Sequence, residues 1–166
     1  MNLFYLDADP TIAAQLQCDK HVVKMILETA QMLSTAHREL DGEDVPDVLY
    51  KATHRNHPSS KWVRASAANY EWAYAHFIGL CEEYTHRYGK THLTERKLRT
   101  ILATPPRGIQ CDSLAPVPPP QCMPDEYKHA DTVTAYRAYY QGPEKQRIAT
   151  WNKCRPMPDW YIAEDF

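Results

Sequence analysis

The sequence predicts an all-α fold, a single compact domain of about five to six helices with a proline-rich loop and an extended C-terminal tail. Three observations carry that expectation. Residues 19–40, DKHVVKMILETAQMLSTAHREL, contain neither Gly nor Pro and stop at Asp41-Gly42. Residues 59–88 run without proline to Gly89. The one strand-like run, Leu3 to Leu6, has no second run to pair with, so it reads as an extended segment laid on helices. At 166 residues and 43% hydrophobic, the chain is large enough for one core spanning 1–166 without disulfides or a structural metal.

Each element has a local cause. Asp9-Pro10 reads as an N-cap followed by proline at the first helical position, opening a short helix to about Gln17. The helix of 19–40 follows, then an acidic loop from Gly42 to Pro46 and one turn at 48–52. His54-Arg-Asn-His57-Pro58-Ser59-Ser60 is a turn and cap cluster that opens one long helix from Ser59 to Tyr88. Thr91 or Thr94 caps the next helix, which Thr104-Pro105-Pro106 ends. Seven of the 13 prolines fall between Pro105 and Pro124, which excludes regular structure from 105–124 and makes it a wrap or loop over one face. Asp125 caps a helix to about Gln141, Gly142-Pro143 breaks it, and a last helix covers about Glu144 to Lys153. Residues 154–166 form the tail, with Trp160 and Tyr161 docking on the body.

Composition limits the function. No run approaches the roughly 18 apolar residues of a membrane span, and the first residues, MNLFYLDADP, carry two aspartates instead of a basic leader, so the expected location is the cytoplasm. Five widely spaced cysteines without a CxxC pair read as reduced thiols. The net charge of −2 hides an asymmetry: residues 1–50 hold 3 Lys/Arg against 9 Asp/Glu, whereas residues 51–100 hold 9 against 4 and five of the eight histidines. Such a basic middle third suits a phosphate-bearing ligand. Eleven Tyr and 4 Trp against 3 Phe give the core polar handles that need partners.

Three constellations carry candidate chemistry. His21, Lys24, Glu28, Gln31 and Thr35 fall within about 80° of the 19–40 helix at 100° per residue, making a narrow polar stripe on an otherwise apolar helix. His21, Lys24 and Glu28 are the candidate acid, base and cation, with His57 joining them. Otherwise the stripe is a solvated Lys24/Glu28 pair. The second constellation, His54, Arg55, Asn56, Trp62, Arg64, Asn69 and Tyr70 with Lys90, offers anion contacts at a helix N-terminus and rings for stacking. In its structural reading, Trp62, Asn69 and Tyr70 are core residues.

Third, Glu83-x-x-His86 and Glu126-x-x-His129 with Glu28 have the spacing of a di-metal carboxylate bundle and would hold a divalent metal. HExxH, GxSxG and the helix-hairpin-helix glycine pattern are absent. A lysine of lowered pKa, among Lys20, Lys24, Lys90 and Lys128, would allow Schiff-base chemistry.

The strings CDKHVVKMILETAQMLSTAHR, THRNHPSSKWVRASAANYEW, EEYTHRYGKTH and MPDEYKHADTVTAYRAYY resemble a group of small proteins of tailed phages and phage-like environmental genomes, across nearly the whole chain and in the same order. The resemblance implies a context of nucleotide supply, DNA modification or DNA repair in a host cytoplasm, and carries over no catalytic residue. The expectation is an enzyme acting on a nucleotide or a base in DNA through a His/Lys/Glu cleft, with Arg55, Arg64 and Lys90 holding phosphate. The alternatives are a di-metal oxidase or hydrolase and an adaptor that binds a host protein through the proline-rich segment.

Overall fold

The computed structural model describes residues 1–111 and 114–165. Among them are seven α-helices and no strand: α1 Pro10–Leu16, α2 Asp19–Asp41, α3 Pro58–Ala65, α4 Ala67–Tyr88, α5 Leu93–Leu98, α6 Thr132–Tyr140 and α7 Pro143–Gln146. Short 3₁₀ turns occupy Ile101–Ala103 and Asp125–Tyr127. No helix of the described residues is long and apolar enough to cross a membrane.

Capping explains where these helices begin. Asp9 accepts from the Thr11 and Ile12 amides ahead of Pro10. The imidazoles of His57 and His92 do the same for α3 and α5, so His92 and not a threonine caps α5. The expected long helix of 59–88 is two helices. Ser66 is extended (φ −154°, ψ 158°), its hydroxyl accepts from Asn69 N, and Ala67 N donates to Gln110 O at 2.7 Å. A side-chain cap and a tertiary hydrogen bond thus compensate the break. The helix expected from Asp125 starts at Thr132, because Asp131 is the residue that caps it, and the last expected helix is a single turn.

α2 and α4 form the centre, with α1 against α4 and α3 against both. Gly79 on α4 allows the close approach of α1: a Cβ there would lie 3.1 Å from Ala14 Cβ and 3.3 Å from Thr11 Cα. Leu3 to Leu6 is buried without a strand partner. Its backbone is satisfied by side chains, with Gln17 donating to Leu3 O and Arg137 to Leu6 O. The C-terminal third closes over this body through Trp62 Nε1 to Val117 O, Asn2 Nδ2 to Cys122 O and Trp151 Nε1 to Leu16 O.

A buried ion cluster ties the pieces together. Arg87, whose side chain is 0% exposed, reaches Asp19 at 3.1 Å, Glu83 at 2.8 Å and the Gln15 carbonyl at 2.9 Å. Glu83 in turn accepts two hydrogen bonds from Arg155 of the tail. Burial pushes the Glu83 carboxyl up, but the hydrogen bonds from Arg155 and Arg87 outweigh it and hold the group below the usual carboxylate range.

Two interior histidines set the acid limit of the fold. His76 is fully buried between Pro10 O (3.0 Å from Nδ1) and the Gln17 amide (3.0 Å from Nε2), and burial lowers its pKa to about 4. Burial lowers His21 to about 3. In both, the folded pKa lies below the unfolded value, so the folded state binds fewer protons. Stability is full above about pH 6.5 and falls as pH drops through the window below it, by about 1.4 kcal/mol per unit for each histidine. Urea melts at pH 7 and pH 5.5 are expected to differ by about 2–3 kcal/mol, and equal midpoints would contradict the assignment.

Candidate active site

A cavity of about 570 Å³ opens between the N-terminal segment, α2, the start of α3 and the chain at 120–123, within the size range of ligand sites. In its lining the α-amino nitrogen of Met1, a half-buried residue whose side chain is 3% exposed, lies 3.4 Å from Glu28 Oε1. The second Glu28 oxygen is buried with no hydrogen-bond partner among the described residues, and Lys24 Nζ stands 3.9 Å from it. The amine is held by its neighbour: Asn2 Nδ2 donates to Cys122 O at 3.0 Å, and Asn2 Oδ1 accepts from Phe4 N at 3.0 Å. Phe4 itself sits at φ +51°, a conformation rare for a residue with a large side chain.

Two histidines line the cavity in different states of use. His21 Nδ1 is 2.6 Å from Tyr140 OH and its ring stacks on Phe4 at 4.2 Å. With its pKa lowered to about 3, His21 is a neutral, fixed group near pH 7. His57 Nδ1 accepts from Ser59 N as the α3 cap; burial, then the neighbouring Met1 ammonium and His54, lower its pKa. Lys128 and Lys145 add cations to the rim, Lys128 paired with Asp125 at 2.8 Å.

The cavity therefore gathers His21, Lys24, Glu28 and His57. The rest of the second constellation lies elsewhere. His54, Arg55 and Asn56 form an exposed loop, with Arg55 3.5 Å from Glu39 and its carbonyl accepting from Arg64 at 2.6 Å. Trp62 donates to Val117 O, Asn69 bridges Trp62 O and Val117 N, and the buried Tyr70 donates to Leu102 O, so these three are interior residues. Lys90 is exposed beyond Gly89, outside the cavity lining.

The di-metal expectation is corrected. Glu83 is closed in by two arginines, His86 faces Cys154 O, His129 accepts from Asp131 N, and Glu126 lies in a 3₁₀ turn. Among the described residues no three His, Cys, Asp or Glu side chains converge as a metal site.

Sequence reasoning missed Met1, Asn2, Phe4, Tyr139 and Lys145. One signal was available for the first of these. A charged amine attached to a run of buried residues cannot lie far from the core, and an interior cation needs a carboxylate.

Fold and cavity together define a helical protein with an amine–carboxylate site. Residues 1–96 match the model of the family described as pyrimidine dimer DNA glycosylase, and the chain belongs to that family. Membership identifies a DNA-repair glycosylase type, acting on a base in DNA. The matched span holds Met1, Lys24, Glu28 and His57, whereas the wall at 120–123, Tyr139 and Lys145 lies beyond it. No curated protein and no solved structure matches the chain.

Proposed function

We propose that the protein excises a base of a pyrimidine dimer by amine catalysis, with the Met1 α-amine as nucleophile and Glu28 as the group that moves its proton. The observation that carries this is the 3.4 Å contact between amine and carboxylate inside the cavity. Lys24 is the competing amine, but its side chain is 65% exposed and its nitrogen lies 3.9 Å from Glu28, against 3.4 Å for the Met1 nitrogen. Glu28 takes a proton from the ammonium. The freed lone pair forms a bond to C1′ of the damaged nucleotide, and the glycosidic C1′–N1 bond breaks with its electron pair leaving on the base, which takes up a proton from solvent. The secondary ammonium so formed releases one proton to solvent, the lone pair this frees opens the sugar ring, O4′ leaves carrying the proton held by Glu28, and a protonated imine joins C1′ to the protein. The rim lysines meet the phosphates of the strand. Residues 1–166 act as one unit in this reading, since the cavity draws walls from both ends of the chain.

Borohydride reduces such an imine to a stable amine link. Protein incubated with a duplex carrying a thymine dimer and then reduced is expected to form a covalent adduct that peptide mapping assigns to Met1. A short N-terminal extension is expected to abolish it. An adduct mapped to Lys24 or Lys145, or none at all, would overturn the assignment.

A further inference from the structure

Base excision by the amine leaves one developing charge without a partner. The electron pair of the broken C1′–N1 bond departs on the base and spreads from N1 through the adjacent carbonyl to O2 before solvent supplies a proton. A donor held beside the glycosidic bond lowers that barrier. His57 lines the same cavity as Met1 and Glu28 and has no part in the amine chemistry. Its state is set by the start of α3, where Nδ1 accepts from Ser59 N at 3.1 Å. A neutral imidazole carries one N–H, so the proton sits on Nε2, and nothing among the described residues bonds to that nitrogen. The backbone of the ring is pinned on both sides: His57 N donates to His54 O at 2.9 Å, His57 O accepts from Lys61 N at 3.1 Å, and Pro58 follows at the first helical position. Burial, then the Met1 ammonium and His54, lower its pKa, and Glu28 raises it by less. The ring is thus within electrostatic reach of both groups and neutral near pH 7. The other histidine of the cavity, His21, is already held by Tyr140 and stacked on Phe4.

We propose that His57 is a further catalytic residue of base excision, a neutral imidazole whose Nε2–H donates a hydrogen bond to O2 of the departing pyrimidine. This rests on the amine-catalysed reading above and deepens it. O2 is carried by the ring carbon next to N1, so it stays beside C1′ wherever the Met1 nitrogen reaches that carbon. The tautomer decides the role. With Nδ1 taken by an amide hydrogen and Nε2 protonated, the ring has no free lone pair with which to act as a base. A neutral imidazole capped in this way at a helix start is instead a donor suited to a developing anion. The proton stays on Nε2 throughout: the base leaves as the hydrogen-bonded anion and then takes up its proton from solvent.

The test separates base departure from imine formation. Full-length wild type and His57→Ser are compared by single-turnover borohydride trapping on two duplexes, one with a thymine dimer and one with an abasic aldehyde in its place, from which no pyrimidine departs. Serine keeps an oxygen that caps α3 but has nothing that reaches the position of Nε2. His57→Ser is expected to slow trapping about ten- to a hundredfold on the dimer duplex and to change it by less than about threefold on the abasic one. Equal slowing on both duplexes, or none on the dimer, would overturn the proposal. The wild-type ring is read independently by long-range ¹H–¹⁵N NMR at pH 7, which is expected to show a protonated Nε2 and a bare Nδ1. The opposite tautomer or an imidazolium would overturn the proposal even where His57→Ser fails to fold. A failure of the amine reading is separately visible, because wild type then gives no Met1 adduct on either duplex, and the donor role falls with it.

Discussion

Glu28→Gln is expected to slow base excision by about 10² to 10⁴ while leaving DNA binding intact or tighter. The substitution keeps the shape of a side chain that is 16% exposed and removes only its charge and its capacity to take a proton. Without that acceptor the amine has no neighbouring base to take its proton during attack, and O4′ loses its proton donor in the ring-opening step. General acid–base groups contribute about this factor. Binding moves the other way, because a negative charge is lost from a cavity ringed by Lys24, Lys128 and Lys145. Single-turnover excision and a binding isotherm on the same duplex read the two effects. An excision rate within a few-fold of wild type would remove Glu28 from the mechanism, and a parallel loss of binding would make its role structural.

Arg87→Ala is expected to destabilise the fold by about 3–5 kcal/mol without touching the cavity. The guanidinium is the common partner of Asp19 on α2, Glu83 on α4 and the Gln15 carbonyl in the last turn of α1. Removing it leaves Asp19 and Glu83 buried with less than their full compensation, which is the situation that makes a broken interior ion pair expensive. Arg87→Lys is expected to recover little, since one ammonium cannot span three acceptors that a planar fork reaches from different nitrogens. Urea unfolding at pH 7 measures both, and a change below about 1 kcal/mol for Arg87→Ala would show that the cluster is dispensable. For a chain of this length the predicted loss corresponds to a fall in Tm of roughly 10 °C.

Several features were legible in the sequence because they depend on neighbours in the chain. The α2 helix, its Gly42 stop, the Asp9-Pro10 start and the Gly89 stop of α4 all follow from propensity and capping, and they appear in the structure. The failures share one physical cause. Ser66 breaks the expected long helix because the Gln110 carbonyl, 43 positions further on, accepts from Ala67 N, and no local pattern encodes that partner. Asp131 displaced Asp125 as a cap because both are good caps and their surroundings chose between them. The repeated Glu-x-x-His spacing has no metal meaning once Glu83 is seen between two arginines.

By itself, then, the sequence determined an all-helical fold and the polar stripe of His21, Lys24 and Glu28, since periodicity at 3.6 residues per turn places side chains on a face whatever lies beyond it. Only the tertiary structure decided what that stripe faces. It set the Met1 amine beside Glu28, left Trp62, Asn69 and Tyr70 in the interior, and brought Tyr139 and Lys145 across from the far end of the chain. A helix fixes angles around its own axis, but the partner of each face comes from packing between segments remote in sequence, and the chemistry of this cavity belongs to those partners.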